Sequence, residues 1–176
     1  MTVPASVPAA IAPNLLVIRQ GIALLCAIGP APYTQRIAIA YNASIGGHVR
    51  HIIDHYQSFL AGLDAQTLDY EKRLRDPAIE QDPALARRLL GEIAERLAKL
   101  GARSDHPALA YRAETAPGGC APTSLVRELE FLLSHTIHHY ALVAIMCRLL
   151  GHETEPGFGV APSTLRHEQS LATCAR

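Results

Sequence analysis

The sequence predicts an all-α fold built from four helices. Apolar residues recur at helical spacing in four separate runs, and three of these runs end at a glycine. Hydrophobic residues make up 49% of the 176-residue chain and charged residues 18%, so the chain has enough apolar surface for a core and does not have the composition of a disordered protein. The length is that of one ordinary domain, and we expect residues 1–176 to form a single domain.

The first two helices follow from apolar spacing and from the residues at their ends. The pattern predicts a helix over residues 15–28, which a Gly-Pro pair ends. Residues 1–13 contain several prolines and no positively charged start, so we expect a flexible tail rather than a signal peptide. A connecting loop follows, and Ser44 then caps a second helix that runs to about residue 63.

The third and fourth helices have clearer starts. Asp82 is followed by a proline, a combination typical of the first turn of a helix, and it predicts a helix to about residue 100. The last helix begins at Thr123 or Ser124 and continues without a breaker to Leu150, where a glycine stops it. It is the longest predicted element.

The segments between the helices are predicted to be long connections. They cover residues 64–82 and 101–122, and the second contains a short extended piece at 109–113. Residues 152–176 are expected to be a docked or frayed C-terminal segment. The connections also hold four side chains that we expect to anchor loops rather than to reach a ligand: Tyr33, Tyr70, Arg73 and Arg75.

Charge and cysteine usage limit the classes of partner. Lys and Arg number 16 and Asp and Glu number 16, so no basic stripe indicates nucleic acid as the main partner. No apolar stretch is uninterrupted over the roughly 18 residues of a spanning helix, so we expect no membrane partner. The four cysteines have no C-x-x-C spacing and indicate reduced thiols. Together these features predict a cytoplasmic protein.

Six of the nine histidines lie close together on two predicted helices. At 100° per residue, His135 and His139 share a face of the last helix with large apolar residues and with Glu128, so we expect both imidazoles to point inward. Two imidazoles at i and i+4 can bind one metal ion. His138 lies nearer the edge of that face. Glu128 is able to orient a ligand, act as a base or pair with Arg127.

The second helix offers the remaining ligands. His48 and His55 are predicted to face inward, but they are seven residues and about 10.5 Å apart, so both cannot join one ion with His135 and His139. Either His48 supplies a third ligand alone, or His51 and His55 supply two and complete a four-histidine site. A lone buried histidine is usually structural, but several on two helices weaken that interpretation. Spacing leaves the choice open.

The histidine-bearing segments resemble a known family. Residues 44–56 (SIGGHVRHIIDHY) and 127–151 (RELEFLLSHTIHHYALVAIMCRLLG) resemble the DinB-like superfamily, which includes YfiT-type metalloenzymes. Residues 68–76 and 157–166 are similar to a bacterial branch of that group, and the similarity covers about residues 14–166 in all. The resemblance implies a four-helix bundle with long crossover connections.

The resemblance also implies a metal site and a range of activities. By position, the divalent ion is expected on His48, His135 and His139, with His51, His55, Glu128 and His138 as second-shell or pocket residues. Three imidazoles leave a position open for water or a small-molecule substrate. Zinc is our first choice of metal and nickel the second. Relatives include bacillithiol- and mycothiol-dependent transferases, which favours a metal-dependent S-transferase or hydrolase. The alternative is a non-catalytic metal-binding or stress-response bundle.

A second apolar strip on the last helix indicates a surface that is covered by another segment or by another molecule. It lies between about 160° and 240° from His135, on the side that a bundle helix normally keeps polar. Either the C-terminal segment covers this strip or a second copy of the chain does, and we expect a homodimer. The strip consists of Val126, Leu133, Ile137, Ala141 and Ala144.

Overall fold

The structure is a computed structural model, and it describes residues 6–102, 108–113, 115 and 118–174. Residues 172–174 are described as backbone only. Most of these residues are helical, as predicted. In chain order the elements are α1 (Val7–Ala27), α2 (Pro30–Thr34), a 3₁₀ turn (Ala38–Ala40), α3 (Ile45–Gly62), β1 (Thr67–Leu68), α4 (Pro77–Gln81), α5 (Pro83–Gly101), β2 (Leu109–Arg112), β3 (Cys120–Thr123), α6 (Leu125–Leu149) and α7 (Pro162–Cys174).

The four long helices α1, α3, α5 and α6 form the bundle. Helix α1 packs on α5 and α6, and α3 packs on the same two helices from the other side. Their starts are fixed by the predicted capping residues. The side chains of Ser44, Asp82 and Ser124 each accept a hydrogen bond from a backbone N–H in the first turn of α3, α5 and α6. Gly151, in the left-handed conformation at φ 78°, follows the end of α6.

The first helix is longer than predicted. It begins at Val7 after the cap Ser6, so residues 7–13 are helical and the expected flexible tail is wrong for them. The prolines of this segment are compatible with a helix for a physical reason. A proline in the first turn lacks an N–H that would have no helical partner there, and Pro13 is accommodated inside the helix. Val7 and Ile11 are buried in the core. Residues 1–5 of the predicted tail lie outside the described residues.

Helix α1 also bears on the expectation of no membrane partner. By length and composition it is apolar enough to cross a membrane, in spite of Arg19. The core helix of a bundle passes the same test, and α1 buries its apolar side against α5 and α6. The absence of a membrane partner stays a prediction.

The two long connections contain structure that was only partly predicted. The extended piece at 109–113 is β2, and it is the centre of a three-stranded sheet with the order β1-β2-β3. Strand β1 pairs with β2 in parallel, and β3 pairs with β2 antiparallel. Strand β3 ends at Thr123, next to the cap of α6, so the sheet lies beside the start of that helix.

The C-terminal segment is docked on α6. The Phe158 ring stacks on Tyr140 with centroids 4.6 Å apart. Gly159 follows at φ 72°, and a Cβ there would clash with the backbone of Tyr140 and Ala141. Within the apolar strip that we expected on the outer side of this helix, Leu133 is buried in the core and Ala141 is exposed. The other three residues, Val126, Ile137 and Ala144, are partly buried against the core. The strip is thus a weaker argument for a homodimer than the sequence indicated, and the homodimer stays a prediction.

Candidate metal centre

Five imidazoles from α3 and α6 form one contiguous cluster at the contact between the two helices. Centroid distances join them in a chain: His55–His135 4.1 Å, His51–His55 4.4 Å, His51–His139 4.6 Å, His135–His139 4.6 Å and His48–His139 5.1 Å. The i, i+3, i+4 and i+7 spacing within each helix brings these rings to one side. Both histidine segments that we singled out in the sequence thus contribute to one cluster.

The cluster lies at the edge of the bundle core. The buried face of α6 is centred on Leu132, Thr136 and Val143, about 100° around the helix from His135. His135 and His139 are consequently half-buried rather than fully inward as predicted, and they face α3. His55 is the most buried of the five, with 4% of its surface exposed. His138 is exposed, as its angular position predicted, and its ring lies edge-on to that of His139 with the centroids 5.3 Å apart.

The geometry groups three imidazoles most tightly for a shared ligand. One nitrogen each of His51, His55 and His135 lie within 4.8 Å of one another. His51, which we expected either as a second-shell or pocket residue or as a ligand together with His55, belongs to this group. The set implied by the resemblance is His48, His135 and His139. Within that set the Nδ1 atoms of His48 and His139 are 2.9 Å apart, and His135 is shared with the tighter group. The set stays a prediction.

Burial keeps four of the imidazoles neutral. Burial lowers the pKa of His51 and His139 to about 3 and that of His135 to about 4, and it also lowers the pKa of His48. The neighbouring imidazoles reinforce the effect at His51, His135 and His139, and the charge of Arg73 does so at His51 and His135. A neutral imidazole keeps a lone pair for a metal ion at neutral pH.

The hydrogen bonds of the cluster fit a cation better than a closed polar network. The Nε2 atom of His135 is buried and has no hydrogen-bond partner among the residues that the structure describes. His55 donates from Nδ1 to the His51 carbonyl over 2.8 Å, which leaves its Nε2 as an acceptor, 3.0 Å from Nη1 of Arg73. A buried nitrogen without a partner is costly, and a metal ion at this position would satisfy it. The described residues thus fit a divalent ion.

A cavity of about 680 Å³ opens beside the cluster. His51, His55 and His135 form one side of it. The rest of the lining comes from the segment after β1, from β2 and from α6: Tyr70, Glu71, Arg73, Arg75, Tyr111, Arg112, Arg127 and Phe131. Of the four side chains expected to anchor loops, Tyr33 is buried and donates to the Ile79 carbonyl. The other three line the cavity.

The Glu128 side chain contacts two residues that line the cavity, Tyr70 and Arg127. The carboxylate is fully buried and accepts hydrogen bonds from the hydroxyls of Tyr70 and Thr123, at 2.7 and 2.6 Å, and from Arg127 at 3.0 Å. Of the three roles considered for it, the pairing with Arg127 is the one seen. Burial, and then the Glu128 charge, raise the pKa of Tyr70, so this hydroxyl stays protonated. The Tyr70 ring stacks on His55 at 5.7 Å.

Comparison with known proteins identifies the family. A sequence model of the DinB superfamily matches residues 23–143, which include α3, α5 and both histidine segments. The chain belongs to the DinB superfamily. Members of this superfamily bind divalent metals, and the three-histidine group of this chain is compatible with such binding.

A second comparison finds a local match. A 45-residue segment is 47% identical to FK506-binding protein 5 of Rhizopus delemar, and it covers 26% of this chain and 12% of that relative. The chain thus spans about an eighth of the length of the curated relative it matches. No solved structure matches the chain.

Proposed function

We propose that this DinB-superfamily chain is a metal-dependent enzyme whose centre is His135. The observation that carries the proposal is the buried Nε2 of His135, which has no hydrogen-bond partner among the described residues, while the ring of His135 packs against those of His51, His55 and His139. The ring is also on the wall of a cavity large enough for a small molecule. Zinc is the metal of first choice and nickel the second, because imidazole suits both.

Two sets of residues are candidates to hold the ion. His51, His55 and His135 have the closest ligand atoms and border the cavity, so the geometry favours them. The family resemblance favours His48, His135 and His139. With either set, a bound divalent ion supplies Lewis acidity that lowers the pKa of a water or thiol at an open position.

The side chains around the cavity support catalysis more than storage of a metal. A closed set of ligands would favour the alternative function, a non-catalytic metal-binding bundle. Instead the three imidazoles face an open cavity whose wall is held by Tyr70 and the buried Glu128. We propose thiol-dependent S-transfer or hydrolysis of a small molecule. In S-transfer the thiol loses its proton, its sulfur bonds to an electrophilic carbon, and the leaving group departs with the electron pair of the broken bond.

Metal analysis of untagged protein tests the proposal. We expect near-stoichiometric metal by inductively coupled plasma mass spectrometry in the wild type, and little in His135→Ala. The exposed His167→Ala is the matched control and should keep its metal. A wild type that takes up no zinc, nickel, iron or manganese would overturn the proposal.

Four further alanine variants separate the two ligand sets. Loss of metal in His51→Ala and His55→Ala, with retention in His48→Ala and His139→Ala, would assign the cavity set. The reverse pattern would assign the set implied by the resemblance. Zinc-loaded protein is then assayed with low-molecular-weight thiols and 1-chloro-2,4-dinitrobenzene, and with ester substrates. Turnover that requires both metal and His135 supports an enzyme, whereas none with any substrate favours the non-catalytic bundle.

A further inference from the structure

We infer that the cavity beside the imidazoles binds a small molecule that carries an aromatic ring, and that this ring is recognised by an aromatic wall made of Tyr70, Tyr111 and Phe131. The inference rests on the proposed function only for the role of the compound as a substrate. The binding itself is argued from the three side chains of the aromatic wall, all of which line the cavity.

The aromatic wall is distinct from the other aromatic side chains of the protein. The sequence contains six tyrosines, three phenylalanines and no tryptophan. Tyr41 is 98% exposed on a loop, and five others are buried: Tyr33, Tyr56, Phe59, Tyr140 and Phe158. The remaining three are half-buried, and they form the aromatic wall. Each half-buried aromatic ring in the described part of the chain therefore borders the same cavity.

The aromatic wall is a continuous surface of planar groups from three separate segments. Tyr70 follows β1, Tyr111 lies on β2 and Phe131 on α6. The ring centroids of Tyr70 and Phe131 are 5.2 Å apart. The Cζ atom of Arg127 lies 5.4 Å from the centroid of Phe131 and 5.6 Å from that of Tyr111, which is within the range of a cation–π contact. The Arg127 guanidinium thus connects the ring on the sheet with the ring on the helix.

Two contacts hold the aromatic wall in place. The Tyr70 hydroxyl donates to the buried Glu128 carboxylate over 2.7 Å, which fixes one end of that ring. The Phe131 ring stacks on His135 with centroids 5.6 Å apart and 26° between the planes. Side chains that are ordered before a ligand arrives lose less entropy on binding. A planar ligand on Phe131 also has its neighbouring atoms beside His135.

The composition of the lining favours an aromatic ligand over an aliphatic one. Among the lining residues that the structure describes, there is no valine, leucine, isoleucine or methionine, so the rings supply the apolar surface. Pairs of aromatic rings are attracted by more than the burial of their apolar area, and guanidinium groups stack on aromatic faces. A saturated ligand of the same shape gains neither contribution. The cavity, of about 680 Å³, is large enough for a substituted ring system.

Fluorescence titration of the metal-stripped full chain with 2-naphthol tests this inference. Because the chain has no tryptophan, 2-naphthol is excited at wavelengths beyond the absorption of the protein. Decahydro-2-naphthol is the competitor, since it has the same carbon skeleton without π electrons and is at least as apolar. We expect 2-naphthol to bind with a dissociation constant below about 1 mM, and its saturated analogue to bind at least about fivefold more weakly. Failure of 2-naphthol to bind, or equal displacement by the analogue, overturns the inference.

Leucine variants of the aromatic wall locate the binding. Phe131→Leu and Tyr111→Leu each replace a ring by an aliphatic side chain, and each should weaken 2-naphthol about threefold or more. Their affinities for decahydro-2-naphthol should stay within about twofold of the wild type. Tyr111 is half-buried on a strand that tolerates leucine, so its variant keeps the test valid if Phe131→Leu does not fold. The exposed Tyr41→Leu is the matched control. Affinities for 2-naphthol in both wall variants equal to that of Tyr41→Leu overturn the inference.

Metal analysis of the same proteins separates this inference from the proposed metal function. Phe131 offers no ligand atom, so Phe131→Leu should take up as much metal as the wild type. A chain that prefers 2-naphthol to its saturated analogue but takes up no metal refutes the proposed metal-dependent enzyme and leaves the aromatic site standing. A chain that takes up metal at His135 but shows no such preference refutes the aromatic site alone.

Discussion

Two clusters of polar side chains lie on the same pair of helices, α3 and α6, and they differ in how well their hydrogen-bonding atoms are satisfied. In the first, Asn14 of α1 donates to the carbonyls of Ala10 and Leu129, at 2.8 and 3.0 Å, and accepts from Tyr56 at 2.6 Å. Thr136 donates to the Leu132 carbonyl at 2.7 Å. All members are buried.

The second cluster is the five imidazoles, which lie on a neighbouring face of the same two helices. Two of its nitrogens, the Nδ1 atoms of His48 and His139, are 2.9 Å apart, and Nε2 of His135 has no hydrogen-bond partner in the described part of the chain. The contrast teaches that polarity alone does not mark a site in this bundle. A polar group whose partners are all in the protein stabilises the fold, whereas one with a missing partner indicates a ligand.

The largest effect is expected from adding zinc. The ion binds the folded chain and not the unfolded one, so a zinc concentration 1,000 times the dissociation constant should raise the free energy of unfolding by about 4 kcal/mol. Chemical denaturation with and without a chelator measures this increase. His135→Ala should lose it. Asn14→Ala should keep it, because Asn14 belongs to the satisfied cluster. If Asn14→Ala also lost the zinc-dependent increase, the difference between a structural cluster and a metal-binding cluster would be contradicted.

The next effect concerns the satisfied cluster itself. Asn14→Ala removes the acceptor of the buried Tyr56 hydroxyl and both donors to the carbonyls, and we expect the unfolding free energy to fall by about 2–3 kcal/mol. Urea denaturation of metal-free protein gives the value. Gln20→Ala, half-exposed on the same helix, should change it by less than about 0.5 kcal/mol. Equal effects of the two substitutions would contradict a stabilising role for Asn14.

Of the two clusters, the imidazole cluster is the one whose contribution to stability should fall in acid. The folded pKa values of His51 and His139 are about 3 and that of His135 about 4, below the ordinary 6.5, so the unfolded chain binds more protons below pH 6.5. The stability of the metal-free chain is therefore complete above pH 6.5 and declines as the pH falls towards 4. We expect this loss to be smaller than that of Asn14→Ala, because the rings are half-exposed.

Thermal denaturation at several pH values measures the decline. The His51→Gln/His135→Gln double variant should show a shallower loss between pH 6.5 and 5, a range in which the ordinary carboxylates remain charged. An unchanged slope in this variant would assign the pH dependence to other groups.

The smallest effect is expected from Thr136→Val. The Thr136 hydroxyl donates to a carbonyl one turn earlier on its own helix, and its distance from the Tyr56 oxygen is 3.4 Å, so little is lost when it is replaced. We expect a change of less than about 1 kcal/mol by urea denaturation, with zinc binding intact. A cost as large as that of Asn14→Ala would mean that the satisfied cluster depends on its longest contact.

Local chemistry made much of the fold predictable. Ser44, Asp82 and Ser124 cap their helices by bonding to backbone groups two or three residues away, and such bonds can be predicted from the order of residues alone. The strand partners were not predictable in this way. Strand β1 pairs with β2 some 40 residues later, from Thr67 to Ala110, and no local pattern specifies that register.

The sequence by itself determined that α3 and α6 present several imidazoles at helical spacing, since i and i+4 positions share a face whatever the helix packs against. Only the tertiary structure decided which imidazoles are central. Counting 100° per residue gives relative angles, but the direction of the core depends on the neighbouring helices. The ring of His51 contacts those of His55, His135 and His139, while His135 lies at the core's edge. The same holds for Arg73 and Arg127, whose shared cavity exists only because distant segments of the chain meet around it.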